Sequence, residues 1–237
     1  MINSSVCFLG WSLGEHQEWS KYSNFEVALQ VPLIIHVPGL RNNRINSHRK
    51  AMYDRKNNNS KMYRHNENYS ATNSMVELVD IFPTLAELSG IEVPKLCPCN
   101  SSKVMLCTEG SSLVPLIKCL SFNNGNKHVK WKSAVFSQFP RPSDLPQENS
   151  DQPRLRDIRI MGYTMRTELY RYTEWVGFDP ITLQTNWSDL HARELYVHTT
   201  DPSEDNNVAD LPHYKQTVTQ LSATLHQGWR NALPKFE

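Results

Sequence analysis

The side chains best suited to chemistry are concentrated in one segment near the start of the chain. The run G-W-S-L-G-E-H-Q-E-W-S-K-Y-S-N-F, from Gly10 to Phe25, contains two Trp, one His, one Lys and two Glu. Such a composition is typical of a ligand-facing loop. Lys21 offers a compact cationic donor for an anionic oxygen, and Trp11 offers an aromatic face for a sugar ring. The alternatives are an ordinary exposed lysine and a tryptophan packed in the core.

Other polar residues invite structural interpretations. His16 is expected to support the loop, by a hydrogen bond to backbone, rather than to act as an acid or base. Arg141 and Asp144, in P-R-P-S-D, are expected to form an ion pair beside a cleft. Neither expectation requires contact with a ligand.

The element that follows the loop is an apolar run. V-P-L-I-I-H-V-P-G extends from Val31 to Gly39, and prolines lie near both of its ends. A continuous apolar run of this length predicts a strand that is buried on both faces, as in a sheet covered by helices. The sequence therefore predicts a loop held beside a buried strand.

Bulk composition excludes several classes of protein. The 237 residues suit one large domain or two small ones, and the net charge of +1 gives no overall field for nucleic acid or membrane. No apolar run approaches the ~18 residues that span a bilayer. The first residues, M-I-N-S-S-V-C, lack the basic start of a signal peptide.

A polar segment interrupts the first half of the chain. Residues 41–73 are rich in Asn, Arg, Lys, Ser and His and have few aliphatic side chains. Such a segment cannot bury enough apolar surface to offset its ordering entropy, so we expect a disordered basic insertion. Its charges either attract sulfated glycans or form a solvated surface of no consequence.

The remaining pattern predicts an α/β piece followed by a small antiparallel sheet with a covering helix. A helix is expected from a capping box at Ser74 to a cap at Gly90, kinked or split by Pro83, with a short helical or extended piece at 113–117. Strands are expected at 134–139, 160–167, 170–178 and 194–199, and a final helix at Pro212. We place the domain boundary between residues 120 and 121.

Cysteines and glycosylation sequons favour an oxidising compartment. There are five cysteines, and a disulfide between Cys97 and Cys107 would close a loop of about ten residues. N-x-S/T sequons occur at five positions: Asn3, Asn58, Asn68, Asn100 and Asn186.

Three motifs resemble one family. G-E-H-Q-E-W-S-K at Gly14 to Lys21, D-I-F-P-T-L-A-E-L-S-G at Asp80 to Gly90, and E-L-Y-V-H-T-T-D-P-S-E-D-N-N at Glu194 to Asn207 are similar to motifs of the type I sulfatases. They occur in the family's order. The resemblance implies an alkaline-phosphatase-like α/β sheet, here partial and limited to the C-terminal portion of the family.

The resemblance also implies a chemistry. Type I sulfatases hydrolyse sulfate esters with a cysteine oxidised to formylglycine, in a C-x-[PA]-S-R motif, and with calcium. Carried over to this chain, Lys21 would contact the sulfate and Trp11 the sugar, with sulfated glycosaminoglycan as the substrate. Further closer matches imply a Cys97–Cys107 disulfide, a glycosylated Asn186 and a location in the lysosome or secretory pathway.

The departures from the family are as informative as the matches. The nearest mimic of the nucleophile motif, C-N-S-S-K from Cys99, lacks both the Pro or Ala and the Arg. Phe8 and Leu9 occupy the positions of a metal-binding pair and offer calcium no oxygen ligand. Gln152 stands where a lysine that holds a uronate carboxylate is expected, and Arg154 or Arg156 could compensate.

The departures predict that this chain alone binds no calcium and has no sulfatase activity. Its partners would be a sulfated glycosaminoglycan and a missing N-terminal half. The alternatives are a non-catalytic fragment that binds sulfated glycans and an unstable product of an incorrect gene start.

Overall fold

Two compact units make up the chain. The computed structural model describes residues 3–6, 10–38, 40, 70–99, 103–121, 129–145, 147 and 151–234. One unit comprises residues 1–3, 35–74 and 79–130, and the other comprises residues 4–34, 75–78 and 131–237. Residues 4–34 therefore group with the second half of the chain, while the boundary after residue 120 stays a prediction. None of the described helices is both long and apolar enough to cross a membrane.

The described elements are eight strands and five α-helices. In chain order the strands are β1 (Asn3–Val6), β2 (Ser12–Leu13), β3 (Trp19–Ser20), β4 (Leu33–His36), β5 (Ala134–Arg141), β6 (Ile160–Thr167), β7 (Tyr170–Asp179) and β8 (Gln184–Val197). The helices are α1 (Glu26–Leu29), α2 (Ile81–Leu88), α3 (Val114–Ser121), α4 (Lys215–Gln227) and α5 (Trp229–Ala232). Short 3-10 turns occupy Glu15–Gln17, Leu78–Asp80, Leu155–Asp157 and Pro212–Tyr214.

A four-stranded antiparallel sheet, in the order β5-β6-β7-β8, dominates the second unit. Thr167 and Tyr170 close the predicted hairpin between β6 and β7, with the Thr167 hydroxyl accepting from the Tyr170 amide at 3.0 Å. One face carries the core, where Met165, Tyr172 and Leu195 are fully buried together with side chains of α4 and α5. The alternation of side chains along a strand explains why every second residue reaches this core.

The opposite face of the sheet holds the N-terminal segment. The Asn24 amide donates to the Gly162 carbonyl at 3.0 Å, and Arg171 of β7 forms an ion pair with Glu26. A tight approach occurs at Gly162, where a Cβ atom would lie 2.6 Å from the Trp175 ring. Glycine is therefore required there for the tryptophan to lie across the sheet.

The expectation of a strand buried on both faces is wrong for β4. Ile34 is 66% exposed and His36 is exposed, whereas Leu33 and Ile35 are partly buried. Within the described part of the chain β4 has β1 as its single strand neighbour. The apolar run predicts that other elements pack against both faces of this strand. Among the described residues, packing covers only one face of β4.

The helix around residue 80 begins later than the capping box predicted. Ser74 caps nothing, and the Glu77 carboxylate instead accepts from Lys132 Nζ at 2.5 Å and from the Phe136 amide at 2.8 Å. Pro83 neither kinks nor splits α2, because it lies in the first turn, where no backbone donor is needed. At the other end, Gly90 has a φ of 71° and the predicted cap is confirmed.

Other elements follow the sequence expectations with one clear difference. Strand β8 begins at Gln184, ten residues before the predicted start at 194, because its first part is an exposed polar edge without apolar alternation. The piece at 113–117 belongs to helix α3. The Cys97–Cys107 disulfide is confirmed, with Cα atoms 4.8 Å apart. Most of the basic insertion, residues 41–69, lies outside the described residues.

Candidate functional site

The loop from Gly10 to Phe25 is wound tightly by unusual backbone conformations. Strands β2 and β3 pair antiparallel, with Leu13 opposite Trp19. Between and beside them His16, Gln17 and Ser20 have φ angles of 58°, 62° and 77°. Non-glycine residues seldom adopt the left-handed region, so the surrounding contacts must hold the loop in this shape.

Contacts within the loop supply part of that restraint. The His16 ring stacks on Phe25 with centroids 3.8 Å apart, and Phe25 meets Tyr196 edge-on at 5.9 Å. Glu15 accepts from the Leu13 amide at 2.5 Å, and this hydrogen bond lowers the pKa of Glu15 below its usual value. His16 supports the loop by ring stacking on Phe25, in place of the hydrogen bond to backbone that the sequence analysis expected.

Lys21 lies partly exposed near the end of the loop. Its ammonium is 5.9 Å from the centroid of the Tyr22 ring. Among the residues that the structure describes, no carboxylate lies within ion-pair distance of Lys21. The described contact of the Lys21 ammonium is therefore with an aromatic ring and not with an acid.

A clamp joins the loop to the end of the sheet. Arg141 donates to Glu18 at 3.0 Å, so the expected ion pair with Asp144 is wrong. The guanidinium also lies over the rings of Phe139 and Trp175, at 4.8 and 5.7 Å from their centroids. Glu18 of the loop therefore takes the partner that local spacing assigned to Asp144.

Gln152 makes a second contact with the loop. Its amide donates to the Tyr22 hydroxyl, and the Tyr22 ring lies 6.5 Å from Phe139. Gln152 itself is exposed. Gln152 thus ties the loop to residue 152 through a neutral side chain.

A buried ion network anchors the segment that follows the loop, and sequence reasoning missed it. Arg171 forms ion pairs with Glu26 and Glu204, and His198 contacts Glu204 at 2.7 Å. Arg166 lies 3.6 Å from Glu26, and burial lowers its pKa. The sequence does contain a sign of this network. The acidic E-x-x-N motif and the arginines of the neighbouring strands carry opposite charges, and such charges must be paired where a sheet buries them.

The described cluster of potential metal ligands does not fit calcium. Glu26, His198 and Glu204 form the single described group of three potential metal ligands, and their ligand atoms lie within 4.8 Å of one another. Arg171 fills the space between the two carboxylates, so a dication would meet a guanidinium there. Phe8 and Leu9 lie outside the described residues, and their side chains contain no oxygen.

Trp11 lies largely in solvent. Its side chain is 53% exposed, which disfavours the core-packing alternative.

Glu194, the first residue of the third motif, accepts two hydrogen bonds from aromatic side chains. Its carboxylate accepts from Trp175 Nε1 at 2.7 Å and from the Tyr196 hydroxyl at 3.4 Å. Burial raises the pKa of Glu194.

A cleft of about 590 Å³ opens at the end of the sheet where β5 ends and β6 begins. Its lining includes Asp144, Arg159, Asp189, His191 and Asn186. Asn186 is exposed, and its side-chain oxygen accepts from the Ser188 amide at 3.2 Å.

Comparison with solved structures places the fold. A putative sulfatase from Bacteroides thetaiotaomicron matches with a TM-score of 0.60 and 20% identity, covering 98% of this chain and 36% of that chain. A phosphonate monoester hydrolase from Agrobacterium radiobacter matches with a TM-score of 0.58 and 18% identity, covering 97% and 34%. The fold is that of part of a sulfatase, of the alkaline-phosphatase-like class.

Sequence comparison identifies relatives within this class of fold. Iduronate 2-sulfatase of Homo sapiens is 45% identical over 214 residues, and that of Mus musculus is 44% identical over 210 residues. Each alignment covers 84% of this chain and 36% of the relative. No family model matches the chain. The chain belongs to the type I sulfatase family, is similar to the C-terminal portion of iduronate 2-sulfatase, and spans about a third of the length of these relatives.

Proposed function

We propose that this chain is the sulfate-recognising C-terminal portion of a sulfuric ester hydrolase that acts on sulfated glycosaminoglycan. The observation that carries the proposal is Lys21, a cation with no carboxylate partner among the described residues, on a loop fixed by Arg141 and Gln152. A sulfate oxygen would accept a charge-assisted hydrogen bond from its ammonium. The similarity to iduronate 2-sulfatase supports this choice of substrate class.

Trp11 supplies the second element of the proposed recognition. Its half-exposed indole offers an apolar face to the C–H surface of a sugar ring. The uronate carboxylate is a weaker expectation, because Gln152 is neutral and already bonded to Tyr22. We therefore propose selectivity for the sulfate group over the carboxylate.

Binding by Lys21 is tested with a sulfated heparin-derived disaccharide and titration calorimetry. Lys21→Ala should weaken binding about ten-fold or more, since a hydrogen bond to a charged group contributes about 1.5–3 kcal/mol. Lys215→Ala, which removes an exposed lysine from α4, is the matched control and should bind like the parent. Equal affinities for Lys21→Ala and the parent chain would contradict the proposal.

We further propose that these 237 residues alone do not hydrolyse sulfate esters. None of the five cysteines stands in a C-x-[PA]-S-R motif, and Cys99, exposed and outside the disulfide, has Lys103 in place of the arginine. Assay of the purified chain with a fluorogenic sulfate ester and calcium should give no turnover above background. Calcium-dependent turnover would sink this proposal.

A non-catalytic glycan-binding role is the second candidate. Residues 41–61 contain seven Arg or Lys and one Asp, which favours attraction of polyanions. A chain lacking residues 41–61 but retaining Lys21 should then lose retention on heparin at physiological salt. Retention that depends on Lys21 instead would favour the first candidate.

Residence in the lysosome or secretory pathway accords with these proposals. The Cys97–Cys107 disulfide and the exposed Asn186 sequon both suit an oxidising, glycosylating route. Mass spectrometry of the chain expressed in secretory cells would detect a glycan on Asn186. An unmodified Asn186 in secreted protein would contradict the assignment.

A further inference from the structure

The cleft where β5 ends and β6 begins carries a glycosylation sequon in its own wall. Asn186 lines the cleft and is followed by Trp187 and Ser188, which complete the N-x-S pattern. A glycan attached to Asn186 therefore starts inside the cleft. The volume of about 590 Å³ lies within the ~300–1,000 Å³ of small-ligand sites, so the cleft has room for a sugar ring.

A bulge in β8 shapes this wall of the cleft. Gly177 of β7 pairs with Asn186, whereas the preceding Val176 pairs with Leu190, so β8 has extra residues between the two pairs. Asp189 is one of them, and its carboxylate lies over Gly177, where a Cβ atom would be 2.2 Å from Asp189 Oδ2. Bulges re-aim side chains, and this one brings Asp189 and Asn186 into the lining of the same cleft.

The chemistry of the lining suits a neutral sugar better than an ion. The carboxylates of Asp144 and Asp189 line the cleft together with the cationic Arg159 and with His191, which lies 3.5 Å from Asp189. Because groups of both signs are present, the cleft favours neither a sulfate nor a dication. A hydroxyl group both donates and accepts hydrogen bonds, so a sugar can bond to either kind of group. Phe178 adds apolar surface for the C–H face of the ring.

We propose that the cleft holds the first N-acetylglucosamine of a glycan attached to Asn186. The sugar covers the bulge between β7 and β8 and forms hydrogen bonds with the side chains of Asp144 and His191. Bonded at both walls, it stabilises the four-stranded sheet. The inference rests on the proposed glycosylation of Asn186 and goes beyond it, because attachment alone leaves a glycan free in solvent.

Three glycoforms of the full chain test the inference. The chain is secreted from cells that make only high-mannose glycans, with Gln replacing Asn at the other sequons, positions 3, 58, 68 and 100. One sample is left intact, a second is trimmed with endoglycosidase H to a single N-acetylglucosamine, and a third is stripped with peptide N-glycosidase F. Mass spectrometry verifies each form, and calorimetry gives its melting temperature.

Two variants serve as controls. Asp144→Ala combined with His191→Ala keeps the sequon but removes two proposed partners of the sugar, and both side chains are exposed, so the fold should persist. Asn186→Gln lacks the glycan and remains neutral at that position. It therefore controls for the aspartate that enzymatic stripping leaves behind.

The intact and trimmed forms should melt at the same temperature. The stripped form and Asn186→Gln should melt about 2–4 °C lower, as expected for the loss of about one hydrogen bond in a chain of this size. In the double variant, the trimmed and stripped forms should melt together.

Equal melting temperatures for all three glycoforms of the parent would overturn the inference, as would the same fall on stripping in the double variant. A fall already produced by trimming would assign the stabilising contact to the outer sugars and reject the cleft as the site. An unmodified Asn186 would refute the glycosylation itself, whereas a modified Asn186 without the stability difference would refute only the inference.

Discussion

Paired charges decide how the residues of the loop are held. Glu18 and Glu26, at either end of the segment that contains Lys21, are bound by Arg141 and Arg171 of the sheet. Lys21 is left between them without a described carboxylate partner. Because arginines neutralise Glu18 and Glu26, these carboxylates compete less with an external anion for the Lys21 ammonium.

Removal of the central arginine should destabilise the second unit. Arg171→Met leaves the buried Glu204 and the partly buried Glu26 without their main partner, and breaking a buried pair costs about 3–5 kcal/mol. Urea unfolding followed by tryptophan fluorescence measures the loss. Arg156→Met, whose exposed guanidinium lies 3.8 Å from Asp157, should change stability by about 0–1 kcal/mol. A similar small effect at Arg171 would show that the network contributes little.

Glu194 should make stability depend on pH. Burial raises its pKa in the folded chain above the ordinary 4.5, so the folded state holds a proton that the unfolded state releases. Its contribution is therefore fully present below about pH 4.5 and is lost as pH rises through the raised pKa. Glu194→Gln should remove that loss, so the variant gains on the parent as pH rises toward neutrality. A difference in unfolding free energy that does not vary with pH would refute this.

At the scale of elements, the sequence predicts the strands that have regular apolar alternation, but it does not predict the full length of an edge strand. Strands β5, β6 and β7 and helix α4 follow their apolar patterns because both bury one face on a shared core. The first ten residues of β8 carry no such pattern, since an edge strand is held by backbone pairing with β7. The capping box predicted at Ser74 does not form, because the Glu77 carboxylate binds Lys132 and the Phe136 amide instead. Local spacing in the sequence cannot reveal such distant partners.

The disulfide is an element with a measurable contribution to the first unit. Cys97 and Cys107 are separated by ten residues, so the loop-entropy relation gives about 2–3 kcal/mol. A Cys97→Ser, Cys107→Ser variant should unfold at correspondingly lower denaturant under non-reducing conditions. Hydrogen exchange confined to residues 91–110 would locate the change. A variant with unchanged exchange there would show that local packing suffices.

For the whole molecule, the sequence predicted the family and the antiparallel half, and the division into units was harder to foresee. The loop before residue 35 groups with residues 131–237, far along the chain. Such long-range grouping depends on pairs like Asn24 with Gly162, which no local pattern encodes. Calorimetry tests the alternative that the chain is an unstable product. We expect a cooperative unfolding transition, because Met165 and Tyr172 lie in a buried core.

The left-handed residues of the loop limit how its chemistry can be redesigned. His16, Gln17 and Ser20 occupy backbone conformations that β-branched side chains scarcely tolerate. Variation aimed at a new anionic ligand should therefore be confined to positions such as 11 and 21, whose side chains face outward from ordinary backbone. A library randomised across all of Gly10 to Phe25 would spend most of its members on chains that cannot close the loop.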